Sequence, residues 1–194
     1  MVFDIGGVLV DETRMWRGWA AELGVPFETL WAALREDIRR GLSHRATMQR
    51  LAPGRDIAAL RRARLKADLP VAGDLYPDVR PALAGLAARG VRIGIAGNQP
   101  REAAAALAAL GLGAAFIATS DAWGVQKPDP GFFARVQEAC GAPAAAITYV
   151  GDRVDNDVLP ALAAGMRAAF LPRGLWAGVG ESPVPPLPDL LALL

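Results

Sequence analysis

The stretch MVFDIGGVLV, residues 1–10, decides the fold that this sequence predicts. Its first three residues are apolar and favour a short buried strand, which leads into the carboxylate of Asp4 and then into the glycine pair Gly6 and Gly7. A strand that runs into a glycine turn places Asp4 at the carboxyl end of a sheet, where open α/β sheets form their sites. We therefore expect Asp4 to lie at the centre of a functional site.

Beyond residue 72 the sequence alternates between strand patterns and helical patterns. Further strands are predicted at 91–96, 115–119, 147–150 and 167–171, and helices are predicted at 78–89, 101–110, 130–140 and 158–164. This alternation requires right-handed crossovers and parallel strands. The fold class that follows is α/β, with a Rossmann-like doubly wound parallel sheet.

Residues 13–72 show helical spacing and no strand pattern. Apolar residues recur at i, i+3, i+4 and i+7 in the segments 16–23 and 27–38, and weaker helical patterns follow at 45–51 and 56–69. We interpret this stretch as an all-helical domain inserted after the first strand. The predicted division is a core domain of residues 1–12 and 73–194 and a helical domain of residues 13–72.

Composition argues against several classes of protein. The chain of 194 residues is 53% hydrophobic, enough for a folded core, and its net charge of +1 gives no overall attraction to nucleic acid or membranes. Its single cysteine allows no intrachain disulfide, and no apolar stretch reaches the ~18 residues that span a bilayer. Since no signal-peptide pattern is present, we expect a soluble cytoplasmic protein without nucleic-acid or membrane partners.

Only three residues precede Asp4, fewer than the about five to six of an average strand, so the natural start is expected upstream of Met1.

Two later segments carry groups that suit an anionic ligand. The segment RIGIAGNQ (92–99) contains Gly97, whose backbone N–H can contact an anion, followed by Asn98 with its amide side chain. The segment WGVQKPDP (123–130) carries Lys127, one of only two lysines beside nineteen arginines. Because arginine supplies the surface charge of this chain, a lysine at this place indicates a need for a compact ammonium group. An ordinary surface lysine before a proline turn is the alternative.

Three carboxylates follow the strand predicted at 147–150. In the segment YVGDRVDND (149–157) they belong to Asp152, Asp155 and Asp157. Carboxylate oxygens are the ligands that Mg²⁺ and other hard cations prefer. A polar loop that caps a helix is the alternative, since Asp also favours helix starts.

In order and position these motifs resemble those of the haloacid dehalogenase (HAD) superfamily of hydrolases, over nearly the whole chain. The resemblance implies a sheet of strand order 5-4-1-2-3 and a substrate-selecting cap formed by the helical domain. It also implies that Asp4 is the nucleophile and that Lys127 neutralises both Asp4 and the transferred group.

The same resemblance implies a Mg²⁺ cofactor. Its expected ligands are Asp4, the backbone carbonyl of Gly6 and Asp152, with Asp157 acting directly or through water. Asp155 is expected to face solvent.

The substrate-binding residues implied by the resemblance are Gly97, Asn98 and Lys127, and Trp123 in the loop before Lys127 is a further candidate for lining the pocket. The chain departs from the family pattern twice. Gly97 stands where a serine or threonine is usual. Gly6 stands where the family's phosphatases carry a second aspartate, which acts as general acid.

The resemblance and these two departures leave three functions open. The first is a Mg²⁺-dependent phosphatase of a small phosphate ester, with His44 or Asp11 as a possible substitute proton donor. The second is a metal-free 2-haloacid dehalogenase, because a halide leaves without a proton. The third is a non-catalytic relative that binds a phosphorylated ligand or a partner. Residues 35–66 carry ten basic against three acidic side chains, a local net charge of +7 that either steers an anionic substrate or forms a solvated helix face.

Overall fold

The computed structural model describes residues 1–194 and contains one sheet of five parallel strands. The strands are β1 (Val2–Phe3), β2 (Gly94–Gly97), β3 (Phe116–Thr119), β4 (Thr148–Gly151) and β5 (Arg167–Phe170). Their spatial order is β3-β2-β1-β4-β5. This is the predicted order 5-4-1-2-3 read from the other edge, so the predicted doubly wound α/β fold is confirmed.

Nine α-helices accompany the sheet. In chain order they are α1 (Thr13–Leu23), α2 (Phe27–Arg39), α3 (His44–Leu51), α4 (Ile57–Asp68), α5 (Val79–Ala88), α6 (Glu102–Ala109), α7 (Ser120–Trp123), α8 (Pro130–Cys140) and α9 (Leu159–Ala163). The predicted strand at 91–96 begins later, at Gly94, although the carbonyl of Ile93 still accepts a hydrogen bond from the backbone N–H of Ala115 at 2.7 Å. The short helix α7 was not predicted, so the assignment of Trp123 to a loop was wrong.

Strand β1 lies at the centre of the sheet. Val2 pairs with Gly94 on one side and with Tyr149 on the other, and both residues of β1 are completely buried. This burial on both faces explains why the strand is apolar throughout. The pairing continues for one step, since the backbone N–H of Asp4 donates to the carbonyl of Val150 at 2.9 Å. Asp4 therefore leaves the sheet at its carboxyl edge.

The two faces of the sheet bury different clusters. Phe3 belongs to a cluster that includes residues of α5, such as Leu83, whereas Val2 belongs to one that includes Phe132 and Phe133 of α8. Successive residues of a strand point to opposite faces of the sheet, so Val2 packs into one cluster and Phe3 into the other. The central strand is thereby held from both sides.

Packing divides the chain into two compact units. One comprises Met1–Asp11 and Pro70–Leu194 and holds the whole sheet, and the other comprises Glu12–Leu69 and holds α1 to α4. Within the helical unit, buried side chains such as Trp19 and Leu34 form the interior, and the guanidinium of Arg14 donates to the carbonyls of Ala67 and Leu69. The role of this unit as a cap stays a prediction.

The segment after β5 is mostly irregular, as its prolines predict. Short 3₁₀ turns occur at Gly174–Trp176 and Leu190–Leu193, and the backbone N–H of Leu187 donates to the carbonyl of Phe170 at 2.7 Å. Leu190 is completely buried in the core beside α5.

None of the nine helices has both the length and the apolar character needed to cross a bilayer.

Candidate active site

Three carboxylates from separate parts of the sequence meet at the carboxyl edge of the sheet. Asp4 follows β1, Asp152 follows β4, and Asp157 lies in the π-helical turn Val154–Val158. One oxygen from each lies within 4.8 Å of the others, and all three residues are buried. The structure thus brings together the acidic residues that the first and last motifs supply.

Lys127 lies between two of these carboxylates. Its Nζ is 2.8 Å from Oδ1 of Asp4 and 2.5 Å from Oδ1 of Asp157, and only 1% of its side chain is exposed. Burial alone lowers the pKa of Lys127, but the negative charges of Asp157 and Asp4 outweigh it and raise the pKa well above the ordinary value. The ammonium group is therefore charged throughout the physiological pH range.

Asp4 has an unusual proton affinity for a carboxylate. Burial raises its pKa from 3.8 to about 6, and the neighbouring Lys127 ammonium opposes this rise. Water is largely excluded from the group, since its side chain is 11% exposed. A carboxylate that is poorly hydrated and held by one cation is available to attack an electrophile.

Asp157 uses both of its oxygens within the protein. Oδ1 pairs with Lys127, and Oδ2 accepts a hydrogen bond from the backbone N–H of Arg153 at 3.0 Å. The residue is completely buried, so this arrangement holds the lysine in place. By contrast, Asp155 pairs with the Arg153 guanidinium and its side chain is 68% exposed, which agrees with the expectation that it faces solvent.

Two glycines allow the carboxylates to approach the backbone. Gly7 has a φ of 71°, and a Cβ on it would overlap Oδ2 of Asp152. A Cβ on Gly97 would overlap Oδ1 of Asp4. Gly97 therefore lies directly beside Asp4, and its predicted contact with an anion stays a prediction. Gly7 was not predicted as a site residue, although the glycine pair after Asp4 carried the signal. The positive φ falls on Gly7 and not on Gly6.

The structure places the two other predicted substrate-binding side chains against the protein itself. The Asn98 side chain donates to the carbonyl of Lys127 at 3.0 Å and accepts from its backbone N–H at 2.8 Å. The Trp123 ring packs edge-on against Phe132, with 5.2 Å between ring centroids. Their roles in binding substrate stay predictions.

The donor set fits a hard divalent cation. Three carboxylates and one ammonium leave a net charge of −2 in a buried site, which a divalent cation cancels. Mg²⁺ holds oxygen ligands at about 2.0–2.1 Å, so opposite ligands lie about 4.2 Å apart. The oxygens here, within 4.8 Å of one another, need only a small inward shift. Of the three carboxylates, Asp4 and Asp152 are the more available to bind a cation, because both oxygens of Asp157 already accept hydrogen bonds.

The fold and this site define a doubly wound α/β protein with an aspartate at the end of its central strand. Residues 1–165 match the family model of the haloacid dehalogenase-like hydrolases, and the chain belongs to this family. The resemblance inferred from the motifs is thereby confirmed.

Individual relatives agree with this assignment. Haloacid dehalogenase-like hydrolase domain-containing protein 3 of Danio rerio is 33% identical, over 52% of this chain and 42% of that protein. A phosphoglycolate phosphatase of Pseudomonas syringae is 30% identical, over 100% of this chain and 78% of that protein. The chain spans less than half the length of the first two curated relatives it matches, with coverage of 42% and 45%. The L-2-haloacid dehalogenase of Xanthobacter autotrophicus superposes with a TM-score of 0.73 at 20% identity, over 99% of this chain and 95% of that one, and shares the fold.

Proposed function

We propose that the protein is a Mg²⁺-dependent phosphatase that hydrolyses small phosphate esters through an aspartyl-phosphate on Asp4. The observation that carries this proposal is the buried group of three carboxylates around Lys127, whose net charge of −2 matches a divalent cation. A metal-free dehalogenase has no need for this excess of negative charge. The phosphoglycolate phosphatase that aligns with the whole chain gives further support.

The proposed metal site consists of Asp4, the carbonyl of Gly6 and Asp152. Asp157 acts on it indirectly, by holding Lys127 or through a water molecule. When bound there, Mg²⁺ supplies positive charge beside the phosphoryl oxygens and reduces their repulsion from Asp4.

The proposed chemistry of the chain's own residues has two steps. A carboxylate oxygen of Asp4 attacks phosphorus, and the bond from phosphorus to the ester oxygen breaks as the alcohol leaves. Water then attacks phosphorus, which releases inorganic phosphate and restores the Asp4 carboxylate. Lys127 offsets the negative charge of both steps, because its ammonium lies 2.8 Å from Asp4. The Gly97 backbone N–H is proposed to bind a phosphoryl oxygen.

The source of the proton for the leaving alcohol is the open part of this mechanism. Gly6 provides none, and the two substitutes proposed from the sequence are His44 and Asp11. His44 begins α3 and packs edge-on against Trp16 within the helical unit. Asp11 donates its backbone N–H to the carbonyl of Asp74. A substrate-selecting cap and a cytoplasmic location complete the proposal and stay predictions.

One observation favours a second function, 2-haloacid dehalogenase activity. Position 6 is a glycine, and a halide leaves without a proton, so that reaction needs no acid at this position. In that case Asp4 attacks carbon, and water cleaves the resulting ester.

An assay of two products separates these functions. Phosphate release is measured on phosphoglycolate and on an aryl phosphate, and halide release is measured on 2-chloropropionate, each with Mg²⁺ and with a chelator. We expect phosphate release that requires Mg²⁺ and disappears in Asp4→Asn. Halide release that persists in the chelator would instead establish a dehalogenase. If neither product forms over a wider panel of phosphate esters and haloacids, the non-catalytic reading is favoured.

A further inference from the structure

We infer that Asn98 is a positioning residue whose side chain holds the backbone of Lys127, and so places the ammonium group between Asp4 and Asp157. This inference rests on the proposed function for its kinetic test only. It differs from the substrate-binding role that the sequence suggests for Asn98, because here the amide acts through another residue.

The first support is the geometry of the contact. The Asn98 amide satisfies both backbone polar groups of Lys127, accepting from its N–H at 2.8 Å and donating to its carbonyl at 3.0 Å. The two residues are 29 positions apart in the chain. An amide side chain is suited to this contact because it carries a donor and an acceptor side by side.

The second support is the position in the fold of the two residues that this contact joins. Asn98 directly follows Gly97, which pairs with Thr119 in the sheet, so the amide is attached to a rigid strand end. Lys127 lies in the loop between α7 and α8, outside any helix or strand. The hydrogen-bonded pair therefore joins a loop to the same sheet edge that carries Asp4. The loop itself has no regular hydrogen-bond ladder to hold the lysine at this edge.

The third support is the precision that the lysine side chain requires. Its Nζ must reach two carboxylates at 2.8 Å and 2.5 Å while only 1% of the side chain is exposed. A displaced backbone at Lys127 moves the ammonium away from at least one of them. Misplacement of a catalytic group by about 1 Å costs on the order of 10²-fold in rate.

The exposure of Asn98 makes the inference testable. Asn98 is exposed to solvent, unlike Lys127, so its substitution leaves no cavity in the core. We therefore expect Asn98→Ala to fold. Gln126→Ala serves as the matched control, because Gln126 is an exposed neighbour of Lys127 on the same loop.

The direct test uses the fact that the chain has two lysines, Lys66 and Lys127. Protein labelled with ¹⁵N-lysine gives two backbone amide signals, and hydrogen exchange of the Lys127 amide reports its bond to Asn98. In Asn98→Ala we expect this exchange to accelerate about threefold to tenfold, while the Lys66 amide in α4 keeps its rate. Asn98→Asp keeps the acceptor but loses the donor, so it should retain most of the protection.

The kinetic test separates positioning from substrate binding. For Asn98→Ala we expect kcat to fall by roughly ten- to a hundredfold with KM unchanged within about twofold, and partial recovery in Asn98→Asp. Gln126→Ala should match the wild type in both measurements.

Two results would overturn the inference. One is an unchanged Lys127 exchange rate in Asn98→Ala. The other is a rise in KM alone, which would make Asn98 a substrate ligand. If the wild type releases no product, the proposed function fails, and the exchange measurement still decides the role of Asn98.

Discussion

The Lys127 ammonium is the only cationic side chain that contacts Asp4, and it is in contact with Asp157 as well. Arginine has a planar fork and greater volume, so it does not fit a position where 1% of the side chain is exposed. We expect Lys127→Arg to lower kcat by on the order of 10²-fold or more, as loss of a charge-stabilising group does. Lys66→Arg, on the exposed surface of α4, should leave kcat within about twofold. Equal, small effects in both variants would show that Lys127 is not part of the machinery.

Under the proposed function, we expect Gly6 to influence which leaving groups the enzyme accepts. General acid catalysis is worth roughly 10²–10⁴-fold, so an enzyme without it should hydrolyse aryl phosphates much faster than alkyl phosphates. Restoring the acid in Gly6→Asp should raise alkyl-phosphate turnover more than aryl-phosphate turnover. Since the positive φ lies on Gly7, Gly6→Asp avoids the cost of a left-handed conformation.

The control for this experiment is Gly6→Asn, which has the same shape and no acidic proton. A folded Gly6→Asp variant that binds Mg²⁺ but keeps the wild-type ratio of alkyl to aryl turnover would contradict this account of position 6. If Gly6→Asp and Gly6→Asn change the ratio of alkyl to aryl turnover equally, the added side-chain volume causes the change, and proton transfer does not.

Among the elements, the irregular segment after β5 has a specific attachment to the core. Arg173 Nη1 lies 2.9 Å from both oxygens of Asp78, and its Nη2 donates to the carbonyl of Val8 in the turn after Asp4. Asp78 also accepts from the backbone N–H of Leu190 at 2.8 Å. Asp78 at the start of α5 thus holds two residues of the tail, and one of them, Arg173, also contacts the loop that follows Asp4.

Breaking this attachment should destabilise the protein. Asp78→Asn leaves the Arg173 guanidinium, which is 18% exposed, without its charged partner, and we expect a loss of about 1–3 kcal/mol in the free energy of unfolding. Glu138→Gln, in an exposed ion pair with Arg135, should cost less than about 0.5 kcal/mol. Urea denaturation of both variants measures the difference. Equal losses would mean that the tail is not held by Asp78.

Sequence patterns predicted regular elements better than they predicted contacts. The meeting of Asp4 with Asp152 follows from motifs at strand ends, because parallel strands bring their carboxyl ends to one edge. The strand order came instead from the resemblance to the family. The contact between Asn98 and the Lys127 backbone carries no periodicity and joins the end of β2 to a loop 29 residues away, so no local pattern indicates it. The attachment of Arg173 to Asp78 was missed for the same reason, since it crosses an irregular, proline-rich segment.

At the scale of the whole molecule, the site's charge links metal binding to stability. Three buried carboxylates and one ammonium are under-neutralised, so a divalent cation should bind the folded state in preference to the unfolded one. At a Mg²⁺ concentration 100 times its Kd, we expect about 2.7 kcal/mol of added stability against urea. Asp152→Asn should lose most of this gain. An equal gain in wild type and Asp152→Asn would place the ion elsewhere.

The central claim is that Asp4 carries the phosphoryl group during turnover, and the most direct measurement is the mass of the peptide that contains it. The wild-type protein is mixed with an aryl phosphate and Mg²⁺, quenched in acid during turnover, digested and analysed by mass spectrometry. We expect a fraction of this peptide to carry one added phosphoryl group, located on Asp4. The modification should be absent with a chelator and in Asp4→Asn. Rapid phosphate release with Asp4 unmodified, or undiminished release by Asp4→Asn, would contradict the account.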